Sequence, residues 1–195
     1  MGQIITLSDA KVVLKVTGAA HDARITQLVE ALSDFAERYT NHVFVLRAGV
    51  TERHSGSLTR DALYLKTIPV ETITSIHDDP EGVFGASTLV DPLDYFLASS
   101  KAGVVRLTGM KTGKREFLAG IANVKVVFTA GYSAIPDAAK EFVRQAIAHL
   151  FRTEEARAQG VTNMGKGDSN VSFSFNAIPP DVLALLEPFK MQAVS

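Results

Sequence analysis

The residues best suited to acid–base or metal chemistry lie together at His77, Asp78 and Asp79, directly before a proline. Two adjacent carboxylates beside an imidazole could bind a divalent cation or polarise a water molecule. An Asp-Asp-Pro sequence is equally typical of a turn, because aspartate side chains accept hydrogen bonds from the backbone two residues further on. No HxH or HxxxH pair occurs in the chain, so the spacing indicates no local metal site. We therefore expect no metal and no cofactor.

A second candidate for a functional site is the segment 109–115, GMKTGKR, which superficially resembles a phosphate-binding loop. Such a loop cradles an oxyanion with backbone N–H groups and a lysine, and it needs a Ser or Thr directly after that lysine to hold magnesium. Here the glycines stand too close together and Arg115 occupies the Ser/Thr position. A basic hairpin turn is the better interpretation. The chain also has no cysteine and no GxSxG serine, so we predict that it has no catalytic residues and is not an enzyme.

Charge is distributed unevenly along the chain, although the net charge is only -1. Residues 67–100 hold six acids and no Lys or Arg, whereas residues 101–125 hold six bases and one acid. Solvated hairpin tips explain such runs, but an acidic and a basic face also favour contact between subunits. We predict that the acidic span of one subunit faces the basic span of the next, or alternatively that the basic tip faces DNA. The residues singled out for these contacts are Lys111, Lys114, Arg115, Asp78 and Asp79.

Hydrophobic periodicity defines the elements that must position these residues. It predicts two N-terminal helices, over 8–16 and 22–39, and a third helix over 137–152. Between the second and third helices, from 43 to 132, short β-branched or aromatic runs are separated by Gly, Pro, Asp and Ser, which predicts a mostly antiparallel β section. The runs are Val43–Leu46, Leu63–Leu65, Val70–Ile76, Val104–Thr108 and Val124–Thr129. The fold class is therefore α+β, a small helical bundle with an inserted β section and a C-terminal arm.

The last part of the chain differs in composition. The apolar stripe of the third helix ends at Phe151, although good helix formers continue, and residues 160–176 are rich in Gly, Ser and Asn. We predict a core over 1–152, followed over 153–195 by a projecting helix end, a flexible linker and a C-terminal helix arm. The apolar side chains of the arm either bind a partner protein or fold back over their own core. The candidates for partner binding are Phe173, Phe175, Leu183, Leu186 and Phe189.

Several motifs occur in a recognisable order. They are Leu7–Leu14, Ala36–Thr40, Leu63–Leu65 with Ile68–Ile76, Tyr95, and Val124–Tyr132 leading through Ile135 and Pro136 to an Ala-rich helix. This succession covers about residues 5–152, and no single motif is diagnostic. It resembles the head–tail connector (adaptor, head-completion) proteins of long-tailed bacteriophages and prophages.

The resemblance implies a structural virion protein that forms a ring, commonly dodecameric, between the portal and a stopper or tail-completion protein. The implied partners are further copies of the chain, the portal protein, the stopper or tail-completion protein, and genomic DNA that passes through the lumen without sequence specificity. The core over 1–152 would then be the connector core, and the portal would be the partner of the apolar arm side chains. No membrane partner is implied, and the location is the virion neck after assembly in the host cytoplasm. Two alternatives remain open. Another neck component would be more purely β, and a small DNA-packaging accessory protein would need a basic face with interleaved aromatic residues.

Overall fold

The structure is a computed structural model that describes residues 2–58, 61–160 and 178–190, with 155–160 given as helical backbone. The described residues form four α-helices and two antiparallel three-stranded sheets, which confirms the α+β class. None of the described helices has the combination of length and apolar character that a membrane span requires.

Two compact units make up the fold. The first draws on Met1–Val45 and Ala134–Ser195, and the second is formed by Leu46–Ser133, which is therefore inserted into the first. The predicted boundary at residue 152 separates two functions, ring formation and docking, and not two compact units. It stays a prediction.

The first unit contains the helices. They are α1 (Leu7–Leu14), α2 (Asp22–Thr40), α3 (Asp137–Gly160) and α4 (Pro180–Ala184). The helix α1 begins at a capping box in which Thr6 accepts from the Asp9 N–H and the Asp9 carboxylate accepts from the Thr6 N–H. The apolar stripes of α2 and α3 are removed from water within this unit. Their buried side chains include Ile25, Leu28, Val29, Leu32 and Ala36 of α2, and Phe142, Val143, Ala146 and Ile147 of α3.

The C-terminal segment 178–190 belongs to the core of the first unit. Leu183 is 9% exposed and Leu186 is fully buried, while the Phe189 ring meets the Phe44 ring edge-on at 5.3 Å between centroids. For this segment the structure shows the arm folded back, so exposure of Leu183 and Leu186 in the free subunit was the wrong alternative. The physical reason is that a helix this short cannot shield its own leucines and lowers its free energy by packing them on α3. Phe173 and Phe175 lie outside the described residues.

The second unit contains the strands. They are β1 (Arg47–Gly56), β2 (Ala62–Tyr64), β3 (Val70–Asp78), β4 (Tyr95–Ser99), β5 (Val104–Leu107) and β6 (Gly120–Ala130). One sheet has the order β1-β6-β3 and the other β2-β5-β4, and all the pairings are antiparallel. A single apolar cluster is built from both sheets, with Ile76, Val126 and Phe128 on one side and Val105 and Leu107 on the other. The second unit is therefore held by one core of its own.

Three parts of the strand prediction differ from the structure: the run Val43–Leu46, and the strands β1 and β4, neither of which was predicted. The run Val43–Leu46 is not a strand, because Phe44 is fully buried in the first unit and its N–H donates to a Glu37 carboxylate oxygen at 3.1 Å. The strand that follows it, β1, is rich in polar residues and was not predicted. As an edge strand with one solvated face, β1 needs few apolar side chains, so the apolar signal that marks a strand is weak there.

Candidate functional site

Asp78, the last residue of β3, is a structural carboxylate. Its side chain is 1% exposed and pairs with the Lys114 ammonium group at 2.8 Å. The carboxylate also accepts from the Leu118 N–H at 2.9 Å and from the Asn123 side-chain amide at 3.3 Å. Asp78 thereby fastens the segment 114–118 to the end of β3, and its charge is already compensated inside the subunit.

Asp79 shapes the loop that follows β3. Its carboxylate accepts from the Phe84 N–H at 2.6 Å and from the Glu81 N–H at 3.0 Å, and these bonds, the Phe84 bond foremost, lower the pKa of the Asp79 carboxyl. His77 points to the opposite face of β3 from Asp78, so the structure does not bring the three residues into one acid–base site. No group of three or more His, Asp or Glu placed to hold a metal occurs within the part of the chain that the structure describes.

Asp94 and Asp91 hold the basic loop 109–115. The fully buried Asp94 accepts from the Lys111 N–H at 2.6 Å and from both the N–H and the hydroxyl of Thr112, at 3.1 and 2.5 Å. The Thr112 hydroxyl is the largest cause that lowers the pKa of the Asp94 carboxyl. The Lys111 ammonium group donates to Asp91 at 2.5 Å, which lowers the pKa of Asp91 and raises that of Lys111.

These contacts change the interpretation of the acidic and basic spans. Lys111 and Lys114 are paired with acids of the same subunit. Of the three basic residues singled out, only Arg115 is exposed without an ion pair to an acid among the described residues. The spans pair internally because β4 and β5 are antiparallel neighbours, which places the acids before β4 beside the bases after β5. Contact between the spans of neighbouring subunits stays a prediction, with fewer charges to support it than the sequence indicated.

The Asp94 contacts predict a pH dependence. A carboxyl whose pKa is lower in the folded state stabilises that state while it is ionised, so its contribution is complete above the ordinary value of 3.8 and disappears as the pH falls through the lower folded value. We expect Asp94→Asn to be less stable than wild type at pH 7 and the difference to shrink below about pH 4. Urea unfolding from pH 7 to acid checks this. Asp137→Asn, at a carboxylate that is 96% exposed, is the control, and a difference independent of pH would contradict the assignment.

One cluster was missed by the sequence reasoning. On the face of the β1-β6-β3 sheet opposite its core, Arg53, Lys125 and His77 stand side by side in register across the three strands. We call these three residues the basic row. The Phe84 ring lies over them, with its centroid 4.9 Å from the Arg53 guanidinium carbon and 4.8 Å from the Lys125 ammonium nitrogen. Alternation along the predicted run Val124–Thr129 places Lys125 on one face of a strand. Arg53 lies on a strand that was not predicted, and the alignment of the two depends on strand register, which sequence does not give.

The chain matches the head completion protein family over residues 3–192, and it belongs to that family. The resemblance to head–tail connector proteins is thereby confirmed, and the protein has the structural role of a connector of the virion. No curated protein matches the chain.

Three solved structures share the fold. A chain in the neck of an empty gene transfer agent particle, computed with C6 symmetry, has a TM-score of 0.65 at 19% identity, covering 98% of this chain and 92% of that one. A chain in the virion of a native gene transfer agent particle gives 0.62 at 21% identity, with 98% and 92% covered. A chain in the neck of a native particle, computed with C12 symmetry, gives 0.60 at 19% identity, with 100% and 96% covered.

Proposed function

We propose that the chain forms a closed ring in the virion neck, between the portal and a stopper or tail-completion protein, with DNA passing through the lumen, and that it has no enzymatic activity. The observation that carries this proposal is the likeness of nearly the whole chain to chains of neck assemblies solved with sixfold and twelvefold cyclic symmetry. A cyclic ring requires a heterologous contact, in which one surface of a subunit meets a different surface of the next.

An exposed apolar tip on the second unit supports such a contact. Ile121, in the first residues of β6, is 93% exposed, and Leu118 just before the strand is 38% exposed. Leu58, which follows the paired end of β1, is 55% exposed. Apolar side chains grouped at one end of a sheet favour burial against another protein. Arg115 adds an exposed cation to the same unit, so we expect the ring contact to weaken with added salt.

Fewer side chains of the C-terminal segment are available for portal attachment than the sequence indicated. Leu183 and Leu186 are buried within the first unit and Phe189 contacts Phe44, so these three side chains are occupied in the free subunit. The proposal that the segment binds the portal therefore depends on Phe173 and Phe175. Of the two alternatives, a stopper or other neck component is expected to be more purely β, and the helical first unit favours the connector over it.

Electron microscopy of the purified chain, alone and mixed with the portal protein of the same particle, tests the proposal. We expect rings with cyclic symmetry in the mixture, stacked coaxially on the portal, and a lower ring fraction at high salt. Sedimentation velocity of the same samples measures the assembled fraction. A chain that stays monomeric in the presence of the portal at low salt would overturn the proposal.

A further inference from the structure

The basic row is a preformed group of two cations, Arg53 and Lys125, with the His77 imidazole beside them. Neighbouring strands in a sheet lie about 4.8 Å apart, so Arg53, Lys125 and His77 span roughly 10 Å across the β1-β6-β3 sheet. Arg53 is exposed, and Lys125 and His77 are half-buried. The Nδ1 atom of His77 lies 3.2 Å from the Gly85 carbonyl oxygen, and this contact holds the imidazole against the loop after β3.

The two permanent charges of the row are not compensated by carboxylates. Neither Arg53 nor Lys125 forms an ion pair with any described carboxylate, whereas Lys111 and Lys114 of the same unit are both paired. Glu52, the neighbour of Arg53 in sequence, points to the other face of β1 and accepts from the backbone after β2 and from His54. The row therefore carries a local positive charge although the chain is nearly neutral overall.

Phe84 holds the two cationic groups side by side. The aromatic face attracts both cations, and the ring limits the rotamers that the two long side chains can adopt. Phe84 itself has a φ of 57°, an unusual backbone conformation for a bulky residue, and the Asp79 carboxylate stabilises it by accepting the Phe84 N–H. The loop after β3 is thus built to place an aromatic ring over the row.

Hydroxyl side chains lie beside the row on the same face of the sheet. On β6, Val127 follows Lys125 by two residues, and Thr51 of β1 and Ser75 of β3 are its neighbours on either side. Thr129 lies a further two residues along β6. Arginine, lysine, serine and threonine are the side chains that most often contact phosphate oxygens in complexes with DNA. This face therefore offers both the charge and the hydrogen-bond donors that a phosphodiester backbone needs.

We propose that the basic row, with Phe84 and the surrounding hydroxyls, is a sequence-independent contact for the phosphate backbone of duplex DNA. This inference rests on the proposed function, in which DNA passes through the ring. A second copy of the chain is the other occupant that this charge would suit. DNA is the better-suited occupant, because several acids of the same unit are already engaged within their own subunit, as Asp78, Asp91 and Asp94 show.

The test is fluorescence anisotropy of a short labelled duplex of random sequence, titrated with the full chain over a series of salt concentrations. The test variant is Arg53→Gln/Lys125→Gln. Its matched control is Lys66→Gln/Lys101→Gln, which removes two cations that are exposed on the same unit. Each lost phosphate contact reduces the slope of log K against log salt by about 0.9, so we expect the test variant to lose about 1.8 and the control to keep the wild-type slope.

A second variant covers the case in which the first does not fold. Thr51→Glu leaves the row intact and places a negative charge on the same face at an exposed strand position, so it should also weaken duplex binding. Equal losses in the test and control variants, or wild-type binding by the test variant, would overturn the inference, as would a wild-type chain that binds no duplex at low salt. Rings lost in the test variant with an unchanged salt slope would assign the row to a subunit contact instead.

Failure of the ring proposal is separable from failure of this inference, because ring formation is scored by electron microscopy without DNA. Rings that form normally while the test variant binds duplex as wild type does would reject the DNA contact alone. A monomeric wild-type chain whose duplex binding still depends on Arg53 and Lys125 would reject the ring and keep the contact.

Discussion

Asp78→Ala is expected to lower the free energy of unfolding of the second unit by about 3 kcal/mol or more. The substitution removes a buried carboxylate and leaves the Leu118 N–H, the Asn123 amide and the Lys114 ammonium group without their acceptor. Breaking a buried pair by deleting one partner costs more than the pair contributes, because the remaining charge stays desolvated. Chemical denaturation followed by far-UV circular dichroism measures the change.

Asp61→Ala is the control for this substitution. Asp61 also pairs with a cation, Arg106, but it is 51% exposed, so water replaces the lost partner and the expected change is within about 0.5 kcal/mol. Similar losses in the two variants would mean that the Asp78 network does not hold the segment 114–118. Loss of ring assembly in Asp78→Ala at temperatures where the chain is still folded would show that this segment also contributes to a subunit contact.

Leu186→Ala is expected to destabilise the first unit by about 3 kcal/mol. The Leu186 side chain is fully buried, so its truncation removes buried apolar area and leaves a cavity that neighbouring side chains fill only in part. Truncation after Gln159 removes this leucine together with Ile178, Val182 and Leu183, and we expect it to cost more still. Thermal unfolding of both variants measures the effect.

Leu93→Ala is the matched control, since Leu93 is 62% exposed and its truncation should change stability by no more than about 0.5 kcal/mol. A truncated chain as stable as wild type would contradict the folded-back position of residues 178–190. It would restore the alternative in which this segment is an exposed arm that orders only on the portal. Co-purification of the truncated chain with the portal then decides whether the C-terminal part has a docking role besides its structural one.

Local patterns were sufficient to predict the helices. The helix α2 could be predicted from its apolar stripe, because its buried side chains recur every three to four residues within one element. The end of α1 was indicated by Gly18, which follows soon after it. The strand β6 was readable from its β-branched run. The edge strand β1 was not, because half of its side chains face water and carry polar groups.

The charged residues show why the candidate site was harder to predict. Lys114 and Asp78 are distant in sequence and meet only through the pairing of β3 with β6 and the loop that precedes β6. The same holds for the basic row, whose members come from three strands. Sequence gives the side of a strand on which a charge lies, while its partner is determined by register and by loop conformation, which are non-local.

The insertion of the second unit into the first determines an order of folding during synthesis. All residues of the inserted unit have left the ribosome once Ser133 emerges, so its sheets can close while α3 is still being translated. The core of the first unit is completed later, because the apolar stripes of α1 and α2 are covered only by α3 and then by residues 178–190. The core of the first unit therefore cannot be completed before Leu186 has been synthesised, whereas all residues of the second unit are present once Ser133 has been.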